Sequence, residues 1–510
     1  MYSLPIALIL VTTISLIITY FSINIKKTSM EMVNAMGIGL NLANTFDSYI
    51  NGRKIKTPIE QITLFGNNIP TKKMIANIKK YGIKTIRLPV TWIYFIDESG
   101  NIDSEWMSII KKVVKIIIKE KMYCILNLHH DTDKGNWLGE ETNSKDKYVN
   151  LWKNIANEFK NYNDYLVFES FDDIEYSYDS DFMNILDLND AFVQVVRNSG
   201  GKNGDRLLIL AGVNKNLDLI CSPEYKLPID PSKRFAISVH YYIPEQFTIE
   251  PDDKPWTWND KVIEKEIQPL TEWGDENDYK DMITNFESMK KVFLDNDIPI
   301  VIVEIGVLTE QKKNPESIIK YLYFEFSLSS TYNGIMSCLF DNSNKKLGKL
   351  NYYDRENNLW YNQKVGENFK LISKNKFVKP SDYFIISNKE TVSTRTRDDT
   401  LIIKFGKKTV MTVIFNAYIK IDDRGAVGFG ISSSDESGGW IGQGISGLEG
   451  EKKYDGSYTY TIDVREQGYT NSIEIQKWWG NENIILNYLT LEFEEKYTFF
   501  DYNSYIKNFS

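Results

Sequence analysis

The chain has 510 residues but only three histidines, and each stands at the end of a short apolar run. His129 and His130 close the run 124–128, and His240 closes 236–239. Other polar residues occupy the same kind of position. Asn41 lies in the run 37–42, Arg87 inside 85–88, and Glu169 with the pair Asp172-Asp173 after 166–168. Tyr242 follows His240, Glu304 follows 300–303, and Phe340-Asp341-Asn342 follow 335–339. Two facing carboxylates are what cleavage of a glycosidic bond requires. One attacks or stabilises the sugar cation and the other gives a proton to the leaving oxygen. Taken singly, each residue has a plainer reading. A strand-end histidine usually serves as a hydrogen-bonded structural residue, and Arg87 in an apolar run fits a buried ion pair. Their shared placement makes them a candidate site.

The runs that would position these groups are eight in number, the fifth being 207–210, and polar stretches and helical periods separate them. Residues 106–119 illustrate the helical period, with Ile109, Ile110, Val113, Val114 and Ile117 on one face. Alternating strand and helix units over this length give an α/β class and the size of a (β/α)8 barrel, in which chemistry sits where strands end. A doubly wound open sheet is the alternative by pattern alone. Near residue 376 the period changes to two, in 409–413, 458–462, 472–476 and 489–493, with Gly/Ser/Asp turns between. That is the signature of an all-β module, expected to be a sandwich. The resulting division is 1–27, 33–375 and 384–510.

Composition narrows the function classes. Net charge is −9, which argues against a nucleic-acid partner. No glycine-rich loop opens a helix, which disfavours phosphate handling. Three cysteines, Cys124, Cys221 and Cys338, are too few for a disulfide framework or a cysteine-rich zinc site and read as small buried hydrophobes. Residues 1–25 carry no charged side chain and are long enough for a membrane-spanning helix. An uncleaved anchor is favoured over a cleaved signal peptide, because no basic start or small-x-small site is clear. Lys26 and Lys27 after the span would hold the remainder in the cytoplasm by the positive-inside rule. A polysaccharide substrate points outward instead, and the extracellular placement is the one expected.

Six segments in order resemble glycoside hydrolase family 5, in its cellulase or endoglucanase branch. They are Gly39 to Asp47, Thr85 to Trp92, Asn127-Leu128-His129-His130-Asp131, His240-Tyr241-Tyr242, Pro299 to Gly306, and Asp354-Arg355 with Trp360. The resemblance spans about 36–365. It implies a barrel that hydrolyses β-glucan by retaining double displacement, without metal or cofactor. Glu304 would be the nucleophile, with Arg87 keeping it ionised and oriented. His240 and Tyr242 would position the reacting groups. Asn41, His129, His130, Asp172 and Phe340 would lie at the substrate.

Two positions depart from the family. Where it ends its fourth strand in Asn-Glu, with the Glu as acid/base, this chain has Asp172-Asp173, and Phe340 replaces a Trp. Asp is one methylene shorter, and a misplacement of about 1 Å can cost on the order of a hundredfold. Repulsion between Asp172 and Asp173 should raise one of their two pKa values, which suits a general acid. Three outcomes stay open: an enzyme using Asp173, one using Glu175, or a glucan-binding barrel with little activity. In the C-terminal module Trp440 and the pair Trp478-Trp479 suggest sugar stacking; core packing is the alternative.

Overall fold

The computed structural model describes residues 26–50, 53–130, 144–172, 179–213, 217–249, 256–258, 261–263, 270–274, 276–309, 313–342 and 350–377, and seven strands between 390 and 493. Eight parallel strands close into a barrel. They are β1 (Gly39–Asn41), β2 (Thr85–Leu88), β3 (Tyr123–Leu126), β4 (Leu166–Glu169), β5 (Leu208–Leu210), β6 (Phe235–Tyr241), β7 (Ile300–Ile305) and β8 (Ile335–Leu339). Each pairs with its sequence neighbour, and β8 returns to β1 with Gly39 opposite Cys338. The open-sheet alternative is therefore excluded, and all eight apolar runs are barrel strands.

Period two explains two cores. Leu40, Ile86, Leu126, Phe168 and Ile302 face the helix layer in one cluster. Ile125, Val167, Ile209, Ala236, Val301, Val303 and Cys338 fill the barrel. The short helix α1 (Ser29–Met36) plugs the floor of this inner core with Met32, Val33 and Met36. Its start is fixed by a capping box in which Thr28 and Glu31 exchange hydrogen bonds with each other's backbone. The helix Ser104–Lys119 shows the amphipathic logic on the outside. Asp103 caps it, Trp106, Ile110, Val113, Val114 and Ile117 are buried, and lysines take the other face.

One strand breaks the alternation. In β7, Ile300 and Ile302 face outward while Val301 and Val303 face inward, so Glu304 ought to point out. The register with β6 slips at this place: Val239 lies opposite Ile302, but His240 lies opposite Glu304. The same slip appears against β8. This bulge turns Glu304 to the barrel interior, the re-aiming that bulges provide. The Val303 carbonyl there accepts a hydrogen bond from Asn41 Nδ2 at 2.8 Å.

The seven strands beyond residue 389 pair antiparallel throughout. Strand Leu401–Ile421 is central: it pairs with Thr470–Trp479, Tyr454–Asp463 and Ile484–Phe493. The period-two segments all fall within these strands. Among the described residues no helix is long and apolar enough to cross a membrane. The expected anchor, residues 1–25, lies outside them.

At Gly39 an added Cβ would collide with the Cys338 Sγ. Gly39→Ala is expected to destabilise the barrel by about 1–3 kcal/mol through overpacking. Thermal unfolding of the single variant and of Gly39→Ala/Cys338→Ala checks this: the second change should restore part of the loss.

Candidate active site

The inward residues at the top of the barrel are polar. Asn41 ends β1, Arg87 lies near the end of β2, Glu169 ends β4 and Glu304 lies near the end of β7. Arg87 is fully buried and fills the centre. Its Nε and Nη2 each donate at 2.7 Å to Glu169, one to each oxygen. Nη1 donates to Glu304 Oε1 at 2.6 Å and to Asn41 Oδ1 at 3.0 Å, and Nη2 also donates to Asp172 Oδ1 at 2.9 Å. One guanidinium thus bridges three carboxylates. Burial disfavours its charge, but Glu169, Glu304 and Asp172 together outweigh that and hold Arg87 firmly protonated.

The second oxygen of Glu304 accepts from the Tyr242 hydroxyl at 3.1 Å, and His240 Nδ1 lies 3.5 Å from it. Burial and the Glu304 charge both push the Tyr242 phenol far above its usual range, so it remains a donor. Besides Arg87, Asp172 Oδ1 has two imidazole neighbours, with His129 Nδ1 at 3.1 Å and His240 Nε2 at 3.6 Å. Burial alone would raise the Asp172 pKa, but His129, His240 and Arg87 hold it well below the carboxylate range. Burial likewise pulls His129 down, and Asp172 and Asp47 overcome it, raising the imidazole to about 9. Asp47, 3.8 Å from His129, is itself held by the backbone N–H groups of Asn44 and Thr45. Arg355 ties the first loop to the last by donating to Ala43 O, Thr45 Oγ1 and Asp341.

The family model for cellulase, glycosyl hydrolase family 5, matches residues 44–346. The chain belongs to glycosyl hydrolase family 5. It is an endoglucanase-like glycoside hydrolase of the cellulase type. Endoglucanase A of Paenibacillus barcinonensis is 31% identical over 303 residues, 55% of this chain and 73% of that protein. The solved structure of a GH5-4 broad specificity endoglucanase from an uncultured bovine rumen ciliate is 50% identical. It aligns with a TM-score of 0.65 over 69% of this chain and 99% of that one. The corresponding enzyme of Clostridium longisporum is 26% identical with a TM-score of 0.60, covering 69% of this chain and all of that one.

In this family 5 barrel, Arg87, Glu304, His240, Tyr242, His129 and Asp172 converge on one cluster. His130 packs at its edge against His129 and Tyr49, with ring centroids 4.5 and 5.3 Å away. Phe340, half-buried, follows β8 and donates its N–H to Ile305 O at 2.8 Å. Asn41, expected at the substrate, is instead fully buried, with its amide divided between Arg87 and the Val303 carbonyl. Its contacts place it behind the site, supporting Arg87. Asp173, Glu175 and Trp440 lie outside the described residues, as does the Trp478 side chain. Glu169 was legible as a strand-end acid and Asp47 as the close of the segment from Gly39, but their partnership with Arg87 and His129 was not. Inward parity of Glu169 with Val167 was the available signal for the first.

His129 gives the site a pH signature. Its folded pKa, about 9, exceeds the ordinary value of 6.5. The stabilisation is therefore full below about 6.5 and is lost as pH rises through about 9, a contribution of up to ~3 kcal/mol. Asp172 and His129 share this interaction, so it is counted once. Thermal midpoints of the parent and of His129→Gln between pH 6 and 9.5 should diverge at the acid end and converge at the alkaline end. Arg87→Lys retains charge but presents no fork to Glu169. It should cost about 3–5 kcal/mol of stability by denaturant titration, as breaking a buried ion network does.

Proposed function

We propose that the protein is an endo-β-1,4-glucanase that works by retaining double displacement. Glu304 is the nucleophile, attacking the anomeric carbon to form a glycosyl-enzyme that water then hydrolyses. The observation that carries this is the double tether of its carboxylate, Oε1 to Arg87 and Oε2 to Tyr242. Two donors fix the attacking group in orientation, and the donor on Oε1 is the charged guanidinium, which makes that bond the stronger of the two. His240 stands between Glu304 and Asp172 and positions both. His129, His130 and Phe340 meet the sugar at the cleavage point.

Asp173 is the acid/base. Asp172 beside it is held ionised, so a second negative charge at Asp173 is disfavoured and its proton is retained, as a general acid requires. A second reading has a specific observation in its favour. Asp173 is a methylene shorter than the family's Glu, which supports a glucan-binding barrel with little turnover. Glu175 is the other carboxylate close enough in sequence to take the role.

The rest of the chain is read around this site. Residues 1–25 anchor the protein in the cell membrane, and 33–375 form the catalytic unit. Residues 384–510 form a carbohydrate-binding-like sandwich in which Trp440 and Trp478 stack on sugar. The barrel faces the outside, on incoming glucan or on a polysaccharide exported by the cell.

Reducing ends released from soluble β-1,4-glucan by the full chain test the assignment. Glu304→Gln should lose about a thousandfold or more, and parent activity in that variant would sink the enzyme reading. Asp173→Glu should stay within about tenfold of the parent if Asp173 already donates the proton. A far larger gain would establish the binding-barrel reading.

A further inference from the structure

The floor of the barrel, opposite the candidate active site, has a surface chemistry at odds with the chain as a whole. Overall charge is −9. Exposed lysines nevertheless gather at this end: Lys26 and Lys27 before α1, Lys84 before β2, Lys121 before β3, Lys202 before β5 and Lys233 before β6. Exposed or half-exposed acids there are fewer among the described residues, namely Glu31, Asp164, Asp205, Asp295 and Asp297. A helix C-terminus attracts lysine by its dipole. That does not account for Lys26, Lys27, Lys84 or Lys233, which lie in loops or ahead of a helix.

Among these lysines stands an apolar side chain. Ile229, after Pro228, is 82% exposed, more than any other large hydrophobic residue among those described. It borders a groove of about 1000 Å³ lined by α1 and by both signs of charge, with Lys26, Lys27 and Lys233 exposed at its edge and Asp205 and Asp230 paired to Lys26 and Arg197. The segment that joins the uncharged residues 1–25 to the barrel is pinned at this groove. Lys26 forms an ion pair with Asp205, Arg234 Nη1 donates to Lys27 O at 2.6 Å, and Thr28 caps α1. Residues 26–28 are therefore held at the floor with no slack before the plug helix.

We propose that this floor is a docking surface for an anionic lipid bilayer. Its lysines meet headgroup phosphates and Ile229 enters the interface between headgroup and acyl chain. A basic surface carrying an isolated apolar residue is the chemistry that recognises such a membrane. The barrel then stands with its axis across the membrane plane and its mouth directed away, roughly 20 Å further out by the rise of a seven-residue strand. Substrate is taken from the aqueous side and the membrane never occludes the cleft. The orientation rests on the anchoring reading only for residues 1–25; the floor's own affinity does not.

The test uses the full chain in a Cys221→Ala background, with an environment-sensitive fluorophore at Thr331→Cys on the floor or Ser99→Cys in the loop after β2. The chain is mixed with vesicles of phosphatidylcholine, alone or with phosphatidylglycerol, containing a headgroup quencher. With anionic lipid the floor label should be quenched several-fold more than the mouth label. Ile229→Asp with Lys84→Glu and Lys233→Glu should abolish the difference while glucan hydrolysis is unchanged. Equal quenching of the two labels on membrane-bound protein would overturn the docking surface and leave the anchor standing. Salt-sensitive binding to anionic vesicles only, with the floor quenched, would support the docking surface and overturn the anchor. Absence of binding to either vesicle would overturn both.

Discussion

Everything at the mouth of this barrel depends on one buried cation. Arg87 meets Glu169 with two bonds, and Glu304, Asp172 and Asn41 with one each. Three carboxylates in a dry enclosure would repel one another and take up protons. A planar guanidinium with donors in a fixed fork offsets that repulsion and fixes the directions in which they lie. Lysine has the charge but not the fork. The strand ends thus have a common origin in one plane, and the histidines and Tyr242 are arranged around it.

Much of this was legible in the order of residues. The eight apolar runs are the eight strands, and polar residues at their ends are the mouth, because a closed parallel barrel leaves only its strand ends for chemistry. The scarcity of histidine became informative for the same reason, all three lying at this mouth. Other features depend on contacts between distant segments. Asn41 reads as a polar strand-end residue, but its burial comes from the closure of β1 on β8 and the demands of Arg87 and Val303. The central role of Glu169 follows from the bidentate geometry, which no local pattern announces. Glu304 is the sharpest case, because strict alternation from Ile300 would have sent it to the helix layer.

The paired aspartates show a different limit. Repulsion between neighbours requires that one of them yield, and sequence cannot say which. The cationic neighbours of Asp172 settle its own side of the question. With Arg87 and two imidazoles within 3.6 Å of one oxygen, it keeps its charge. The residue that replaces the family's Asn therefore introduces a fixed negative charge where a neutral amide is usual, and the protonated His129 is its counterweight. The substitution carries its own electrostatic compensation.

The bulge in β7 also makes the reading frame of that strand part of the chemistry. Removing one residue between Ile302 and Ile305 would restore an even ladder with both neighbours, a more regular sheet by any local criterion. Drawing the strand straight without that deletion would instead send Glu304 to the helix layer, since a shift of one residue reverses every side chain beyond it. The same irregularity leaves the Val303 carbonyl to the Asn41 amide, so a perfected strand would lose that contact as well. In this barrel the defect in the ladder and the aim of the carboxylate are one structural fact: with Val303 in the chain, only the bulge turns Glu304 inward.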